Sequence, residues 1–271
     1  MRFTKMHGIG NDFIVVDAMK NEIPHANALA VRLCNRRTGI GGDGLILMQP
    51  SPRGDAMMRI INSDGSEPEM CGNGVRCAAK FMYDSGICRK SEMDIDTLAG
   101  VKHIRLQIDS GKVLAATVDM GRPEFAPARI PVAGESNCFD VELDGRSVRF
   151  FCVSMGNPHA VTFDLFPEDE DFLRFGPYME NHPFFPVKAN IEFCRVDSPT
   201  HVTVKVWERG CGATMACGTG SCAVLAAGVQ LGLIGRSAEI ALPGGVLRDS
   251  WADDGHIYMT GPAETVFEGE V

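Results

Sequence analysis

The sequence predicts a mixed α/β protein made of two similar halves, and three observations predict it. The stretch Glu69-Met70-Cys71-Gly72-Asn73-Gly74 returns, altered, as Met215-Ala216-Cys217-Gly218-Thr219-Gly220, an offset of 146 positions (71 to 217). The same ungapped offset lays Gly10-Asn11 on Gly156-Asn157, Gly44 to Leu47 on Asn190 to Phe193, Arg59-Ile60 on Lys205-Val206 and Asn62 on Glu208. Each half reads as short strands with a helix following its C-G-x-G, and a length of 271 residues suits two domains.

Taken in order, strands are expected at 3–6 and 12–17, flanking the loop His7-Gly8-Ile9-Gly10-Asn11. Asn11 reads equally as a functional side chain or as a turn residue tolerant of the left-handed region. A helix over 26–35 leads into Gly39-Ile40-Gly41-Gly42-Asp43-Gly44, which formally contains G-x-G-x-x-G. The dinucleotide fingerprint needs a strand before it and a helix after it; here the order is reversed, with a strand at 45–48, so no dinucleotide site is expected. A β run over 56–62 and the turn-rich Ser63-Asp64-Gly65-Ser66-Glu67-Pro68 deliver Cys71 to a helix over 75–83. Strands follow at 93–98, 101–108 and 113–120, and the Pro-rich 121–131 marks the passage between halves.

The second half repeats this programme. Strands are expected at 139–143 and 146–153, then the loop Ser154-Met155-Gly156-Asn157-Pro158-His159, a β run to 164, an acidic helix over 168–175, strands at 190–196 and 202–207, and a helix over 221–231. From 238 onward three or four short strands are expected, the last of them, near 265–268, returning to the first domain.

Composition narrows the function. Lys+Arg 26 against Asp+Glu 35 leaves a net charge of −9, which argues against nucleic-acid or anionic-membrane partners. Hydrophobic content of 45% with 30 Gly and 15 Pro reads as soluble and rich in turns. Ten cysteines in a chain opening Met1-Arg2-Phe3-Thr4-Lys5-Met6, without an apolar h-region, lead to the expectation of a reducing cytoplasm rather than a disulfide framework. No C-x-x-C pair occurs, so no metal site is expected. No apolar run approaches the roughly 20 residues of a membrane span.

Any one cysteine is most simply core filler, as the run Cys222-Ala223-Val224-Leu225-Ala226-Ala227 illustrates. Cys71 and Cys217 differ, because each is followed by Gly-x-Gly at an expected helix start and each sits at the duplicated position. Unpaired N–H groups and the dipole at a helix start favour negative charge. There a thiol can fall from about 8.5 to roughly 3.5–7.5, enough to populate thiolate near neutrality. Two such thiols make an acid and a base.

Asp64-Gly65-Ser66-Glu67-x-Glu69-Met70-Cys71-Gly72-Asn73-Gly74-Val75-Arg76-Cys77 and Trp207-Glu208-Arg209-Gly210-x-Gly212-x-Thr214-x-Ala216-Cys217-Gly218-Thr219-Gly220 resemble the motifs of the diaminopimelate epimerase family. The likeness runs from His7-Gly8-x-Gly10-Asn11-Asp12-Phe13 to the end of the chain. It implies an α/β fold of the α+β type with two pseudo-symmetric domains. Each would be a curved, mostly antiparallel sheet wrapped around a central helix, with the active site in the cleft between them. The expected division is 1–118 plus 263–271 carrying Cys71, and 119–262 carrying Cys217.

The resemblance further implies a cofactor-free and metal-free isomerase interconverting LL- and meso-2,6-diaminopimelate, in lysine and peptidoglycan precursor synthesis. Inverting a stereocentre needs a base on one face and an acid on the other. By analogy Cys71 takes the α-proton of the LL isomer as thiolate while Cys217 donates as thiol. The N–H groups of Gly72, Asn73, Gly218 and Thr219 would hold the α-carboxylate. Arg209, with a guanidinium fork suited to a carboxylate, would bind the distal carboxylate with Asn62, Asn157 and Asn190. Asn11 joins the substrate set, and His159 and Glu208 would tune the thiols and the substrate amine. Some relatives carry Gln at the position of Gly44, the duplication partner of Asn190, and Cys211 takes no role. A homodimer is admitted by the resemblance but not specified by it.

Three other readings stand beside this one. A proline racemase-like enzyme would use the same thiols but leaves Arg209 without a task. A thiol redox protein would cycle Cys71 and Cys217 through a disulfide and need no amino acid. A non-catalytic binding protein of this fold needs no cysteine pair.

Overall fold

The computed structural model describes residues 1–271. In chain order its elements are β1 (Arg2–Gly8), β2 (Asn11–Asp17), α1 (Ala26–Cys34), β3 (Gly44–Gln49), β4 (Ala56–Asn62), α2 (Gly72–Asp84), β5 (Glu92–Thr97), β6 (Gly100–Asp109) and β7 (Lys112–Asp119). After a 3-10 turn at Pro127–Arg129 come β8 (Cys138–Leu143), β9 (Arg146–Ser154), β10 (Pro158–Thr162), α3 (Asp169–Glu180), β11 (Asn190–Ser198) and β12 (His201–Glu208). The chain ends with β13 (Gly212–Ala213), α4 (Gly218–Gln230), β14 (Ser237–Leu242), β15 (Gly245–Trp251), β16 (Ile257–Pro262) and β17 (Glu264–Glu270). Two compact units result, Met1–Asp119 with Thr260–Val271, and Met120–Met259.

In the first unit β17 lies antiparallel to β1 and β1 antiparallel to β2. The pair β2–β3 is parallel, β3–β4 antiparallel and β4–β5 parallel, and β5, β6 and β7 form an antiparallel meander. The central strands are apolar on both faces, as expected where helices cover both sides of a sheet. Ile14, Val16, Leu45, Leu47 and Ile61 form a core with Ala26, Ala30 and Leu33 of α1. The opposite face turns to α2, which touches every strand from β1 to β7, so the sheet curves around it. Residues 72–82 of α2 are buried, including the charged Arg76 and Lys80.

The second unit repeats the plan. β8–β9 and β9–β10 are antiparallel, β10–β11 parallel, β11–β12 antiparallel, β12–β14 parallel and β14–β15 antiparallel. Its outer helix α3 packs Phe172, Phe175 and Met179 on Phe150, Ile191 and Phe193, while α4 is apolar on all sides and buried over most of its length. The repeat holds to the residue. Phe13 pairs with Gly44 and His159 with Asn190; Leu45 pairs with Ile61 and Ile191 with Trp207. α2 and α4 begin and end at the same offset, 72 to 84 against 218 to 230. The register slips by one at two places, at the first hairpin and beyond the helix: Met6 meets Phe13 whereas Val153 meets His159, and Ala56 meets Ile95 whereas Val202 meets Ile240.

Two elements depart from the sequence reading. α3 does not stop at 175 but runs through Gly176 and Pro177 to Glu180. Tertiary contacts carry that last turn: Met179 is fully buried, Glu180 accepts from Trp207 Nε1 at 2.8 Å, and the Trp207 ring lies against Gly176. The two-residue β13, paired to the end of β12, is too short for alternation to reveal. No helix is long and apolar enough to cross a membrane.

Candidate functional site

In each unit the chain enters its buried helix through a cysteine in extended conformation. Cys71 (φ −137, ψ 116) caps α2 and its sulfur accepts from Gly74 N at 3.4 Å; Cys217 (φ −123, ψ 109) caps α4 and accepts from Gly220 N at 3.4 Å. The usual N-cap is Ser, Thr, Asp or Asn, whose oxygen takes this same N–H. Here a thiol fills the role, so each sulfur faces the positive end of a helix.

Around Cys71 the first unit gathers Asn11, Gly72 and Asn73. The turn at Ile9-Gly10, both at positive φ, brings Asn11 over the helix start. Asn11 Oδ1 accepts from Cys71 Sγ at 3.6 Å and from Asn73 Nδ2 at 3.1 Å. Its Nδ2 donates to Asp43 Oδ2 at 2.7 Å, and a carboxylate only accepts, so the amide can face no other way. Asp43 also takes Asp12 N and the Arg36 guanidinium. Burial would raise the Asp12 carboxyl, but hydrogen bonds from Arg36 and Lys5 outweigh it and hold Asp12 at about 2. Arg76, fully buried, ties the helix start down by donating to Gly72 O at 3.1 Å, Asn73 Oδ1 at 2.9 Å and Pro262 O at 3.2 Å.

Asn62 stands at the end of β4, opposite Gly44, and its Nδ2 donates to Ser66 Oγ at 3.0 Å. A Cβ at Gly44 would lie 2.9 Å from Ile61 O, so this backbone leaves no room for a side chain there.

Around Cys217 the second unit gathers a chain of side chains. Cys217 Sγ lies 3.5 Å from Thr219 Oγ1, which accepts from Asn157 Nδ2 at 3.4 Å. Asn157 Oδ1 meets His159 Nε2 at 3.0 Å, and His159 Nδ1 meets Glu192 Oε1 at 2.6 Å. Glu192 Oε1 also lies 2.9 Å from where a Cβ on Gly220 would be, so glycine is required there. Asn190 accepts from Arg209 N at 2.9 Å and donates to Pro158 O at 3.0 Å, joining the Arg209 backbone to the Asn157 loop. Arg209 reaches Val187 O with its guanidinium at 3.3 Å. Glu208 accepts the Thr214 hydroxyl.

The electrostatics at Cys217 differ from what a helix start alone predicts. Burial, then the carboxylate of Glu208, push this thiol well above its ordinary range; the Thr219 hydroxyl and Gly220 N–H pull the other way. Low dielectric opposes charge on the sulfur more strongly than two local donors favour it. Burial likewise pushes Cys77 up to about 12 and raises Cys152 and Cys194, which lie among apolar side chains. Glu192 is raised by burial, with His159 opposing and Glu208 reinforcing the shift.

Asp43, Arg76 and Glu192 were not singled out from the sequence. Arg76 carried a signal, a charge on the face of α2 that must be buried. Asp43 and Glu192 become visible only once β2–β3 and β10–β11 pair in register. No three His, Cys, Asp or Glu side chains gather as a metal-ligand set.

The diaminopimelate epimerase family model matches residues 3–126 and 151–266. The diaminopimelate epimerase of Desulfitobacterium hafniense is 47% identical over 275 residues, covering 99% of this chain and 97% of its own length. That of Acetivibrio thermocellus is 47% identical over 279 residues, covering 100% and 98%, and that of Methanococcus maripaludis 48% over 275, covering 100% and 99%. Among solved structures, a probable proline racemase from Agrobacterium radiobacter K84 superposes with a TM-score of 0.71 at 15% identity, covering 100% of this chain and 92% of that one. A hydroxyproline epimerase from Agrobacterium vitis gives 0.70 at 18%, covering 100% and 90%. At such identities these two share the fold and no more.

Proposed function

The chain belongs to the diaminopimelate epimerase family, and from that membership we propose that it is an isomerase interconverting LL- and meso-2,6-diaminopimelate through Cys71 and Cys217. The observation that carries the mechanistic part is the pair of N-capping thiols at duplicated positions, each with its sulfur on a helix N–H. Inversion requires one sulfur on each face of the α-carbon. With Cys217 kept protonated by burial, Cys217 is the proton donor and Cys71 the acceptor when the LL isomer reacts, as thiolate once it has given up the hydrogen it directs to Asn11 Oδ1 at rest; the roles exchange in reverse.

The α-carboxylate, which becomes more electron-rich as the proton leaves, sits on the N–H groups of Gly72, Asn73, Gly218 and Thr219 at the two helix starts. Arg209 takes the distal carboxylate as a fork, with Asn62 and Asn157 beside it. Asn190 contributes by seating the Arg209 backbone. Asn11 and His159 act on the thiols, and Glu208 receives the substrate amine. Cys71 belongs to the unit Met1–Asp119 with Thr260–Val271, and Cys217 to Met120–Met259, each unit differing from the expected 1–118 with 263–271 and 119–262 by one to three residues at its bounds. This chemistry needs no cofactor or metal, and its setting is the cytoplasm, in lysine and peptidoglycan precursor synthesis.

The test is incubation of the protein with LL-diaminopimelate and, separately, with L-proline, followed by chiral separation. Formation of meso-diaminopimelate with proline unchanged supports the reading; racemised proline with diaminopimelate unchanged refutes it.

A further inference from the structure

We propose that Glu192 is a neutral carboxylic acid that acts as a positioning residue for Cys217, its Oε1–H donated to His159 Nδ1 so that the hydrogen-bond chain beyond it can run in only one direction. The inference rests on the reading of Cys217 as a catalytic thiol and adds a residue to which that reading gives no role.

His159 and Glu192 are both without solvent exposure and their polar atoms meet at 2.6 Å. Glu192 Oε2 is buried with no hydrogen-bond partner. An ionised carboxylate here would leave a bare charged oxygen in apolar surroundings, an expensive arrangement; a carboxylic acid leaves only a carbonyl oxygen. The titratable groups around Glu192 are His159 on β10, Glu208 at the end of β12, Cys217 at the start of α4, Cys152 on β9 and Cys194 further along β11. Of these only His159 can be cationic, and it too would carry its charge without exposure.

The direction of the chain follows from donor and acceptor counting. An acid O–H on Nδ1 makes that nitrogen an acceptor, so the imidazole proton is on Nε2 and is donated to Asn157 Oδ1 at 3.0 Å. The amide therefore turns Nδ2 to Thr219 Oγ1 at 3.4 Å. That oxygen already accepts, and its own hydrogen is left for Cys217 Sγ at 3.5 Å. When Cys217 has lost its proton, the thiolate meets both this hydroxyl and Gly220 N–H.

The first unit has no such chain, because Phe13 and Ile46 stand where His159 and Glu192 do at the duplication offset. Asp43 turns the amide of Asn11 the opposite way, with its oxygen toward Cys71. The duplicated asparagines thus present an acceptor to one sulfur and, through Thr219, a donor to the other.

The test combines spectroscopy with two substitutions in the full chain. Nitrogen-15 NMR, with the His159 signal assigned by its loss in a His159→Gln variant, should show Nε2 protonated and Nδ1 bare. The infrared difference between wild type and Glu192→Gln should contain the carbonyl band of a protonated acid. Glu192→Gln keeps the reach and offers an amide N–H to Nδ1, so kcat/KM should stay within about threefold. Glu192→Asp is shorter and withdraws the donor, so kcat/KM should fall about tenfold. An imidazolium, an Nδ1–H tautomer, or Asp proving the better substitute overturns the proposal. If the wild type does not epimerise diaminopimelate, the functional reading falls while the NMR result still decides where the proton lies.

Discussion

Cys217 carries two opposed influences, a helix start that favours thiolate and a buried position beside Glu208 that favours thiol. The second prevails at rest, which suits the proton-donor role proposed for it. Replacing either Cys71 or Cys217 by serine keeps size and cap geometry but removes an acid of suitable strength. Steady-state epimerisation should then drop by about 10²–10⁴-fold; near-normal turnover in either variant would contradict the role of that thiol. Arg209→Lys replaces a fork by a point charge and should raise KM for diaminopimelate about tenfold with a smaller change in kcat. An unchanged KM would remove Arg209 from substrate binding. At this scale the capping position of the two cysteines was legible from the C-G-x-G pattern, whereas the burial that raises Cys217 was not, because it depends on tertiary packing. Glu192 and Asp43 were not, because a carboxylate on a strand or in a glycine loop has meaning only through a partner that register supplies.

Among the elements, the cluster joining β1, β2 and the segment that follows α1 makes a pH-dependent contribution. Asp12 is held at about 2 by Arg36 and Lys5 despite partial burial. An unfolded Asp titrates near 3.9, so the stabilisation is fully present above about pH 4 and is lost as pH falls through about 2. Asp12→Asn should therefore cost about 2 kcal/mol at neutral pH, with the gap to wild type closing between about pH 4 and 2 in urea titrations. A gap that stays constant with pH would show that the charge is not responsible. Gly176→Ala sets helix propensity, a gain of about 1 kcal/mol, against a Cβ 2.5 Å from the Trp207 ring. Overpacking of about 1–3 kcal/mol should prevail, lowering stability; a stabilised variant would mean that Trp207 can move aside. Gly176-Pro177 reads as a helix stop in sequence for the reason that makes it informative in the fold: the local signal is overridden by Trp207, Glu180 and Met179. The strands were more legible, since alternation and turns mark them directly, as at β4.

For the molecule as a whole, the 146-residue offset is the feature that sequence and fold share most fully. It holds through the register of β2–β3 against β10–β11, β3–β4 against β11–β12, and through both buried helices. Duplication explains why two thiols exist at equivalent places. The residues that break it, His159 and Glu192 against Phe13 and Ile46, explain how the two can differ. If both sulfurs serve one carbon, mild oxidation should inactivate the protein reversibly and give a Cys71–Cys217 cross-linked peptide; inactivation without that peptide would contradict the shared carbon. The most direct measurement is the isotope at the α-carbon when LL-diaminopimelate is converted in D₂O. Two thiols acting from opposite faces predict that newly formed meso product carries solvent deuterium from its first turnovers, while unreacted substrate lags behind in exchange. Product that retains the original protium would mean a single group carries the proton across, and would contradict the account.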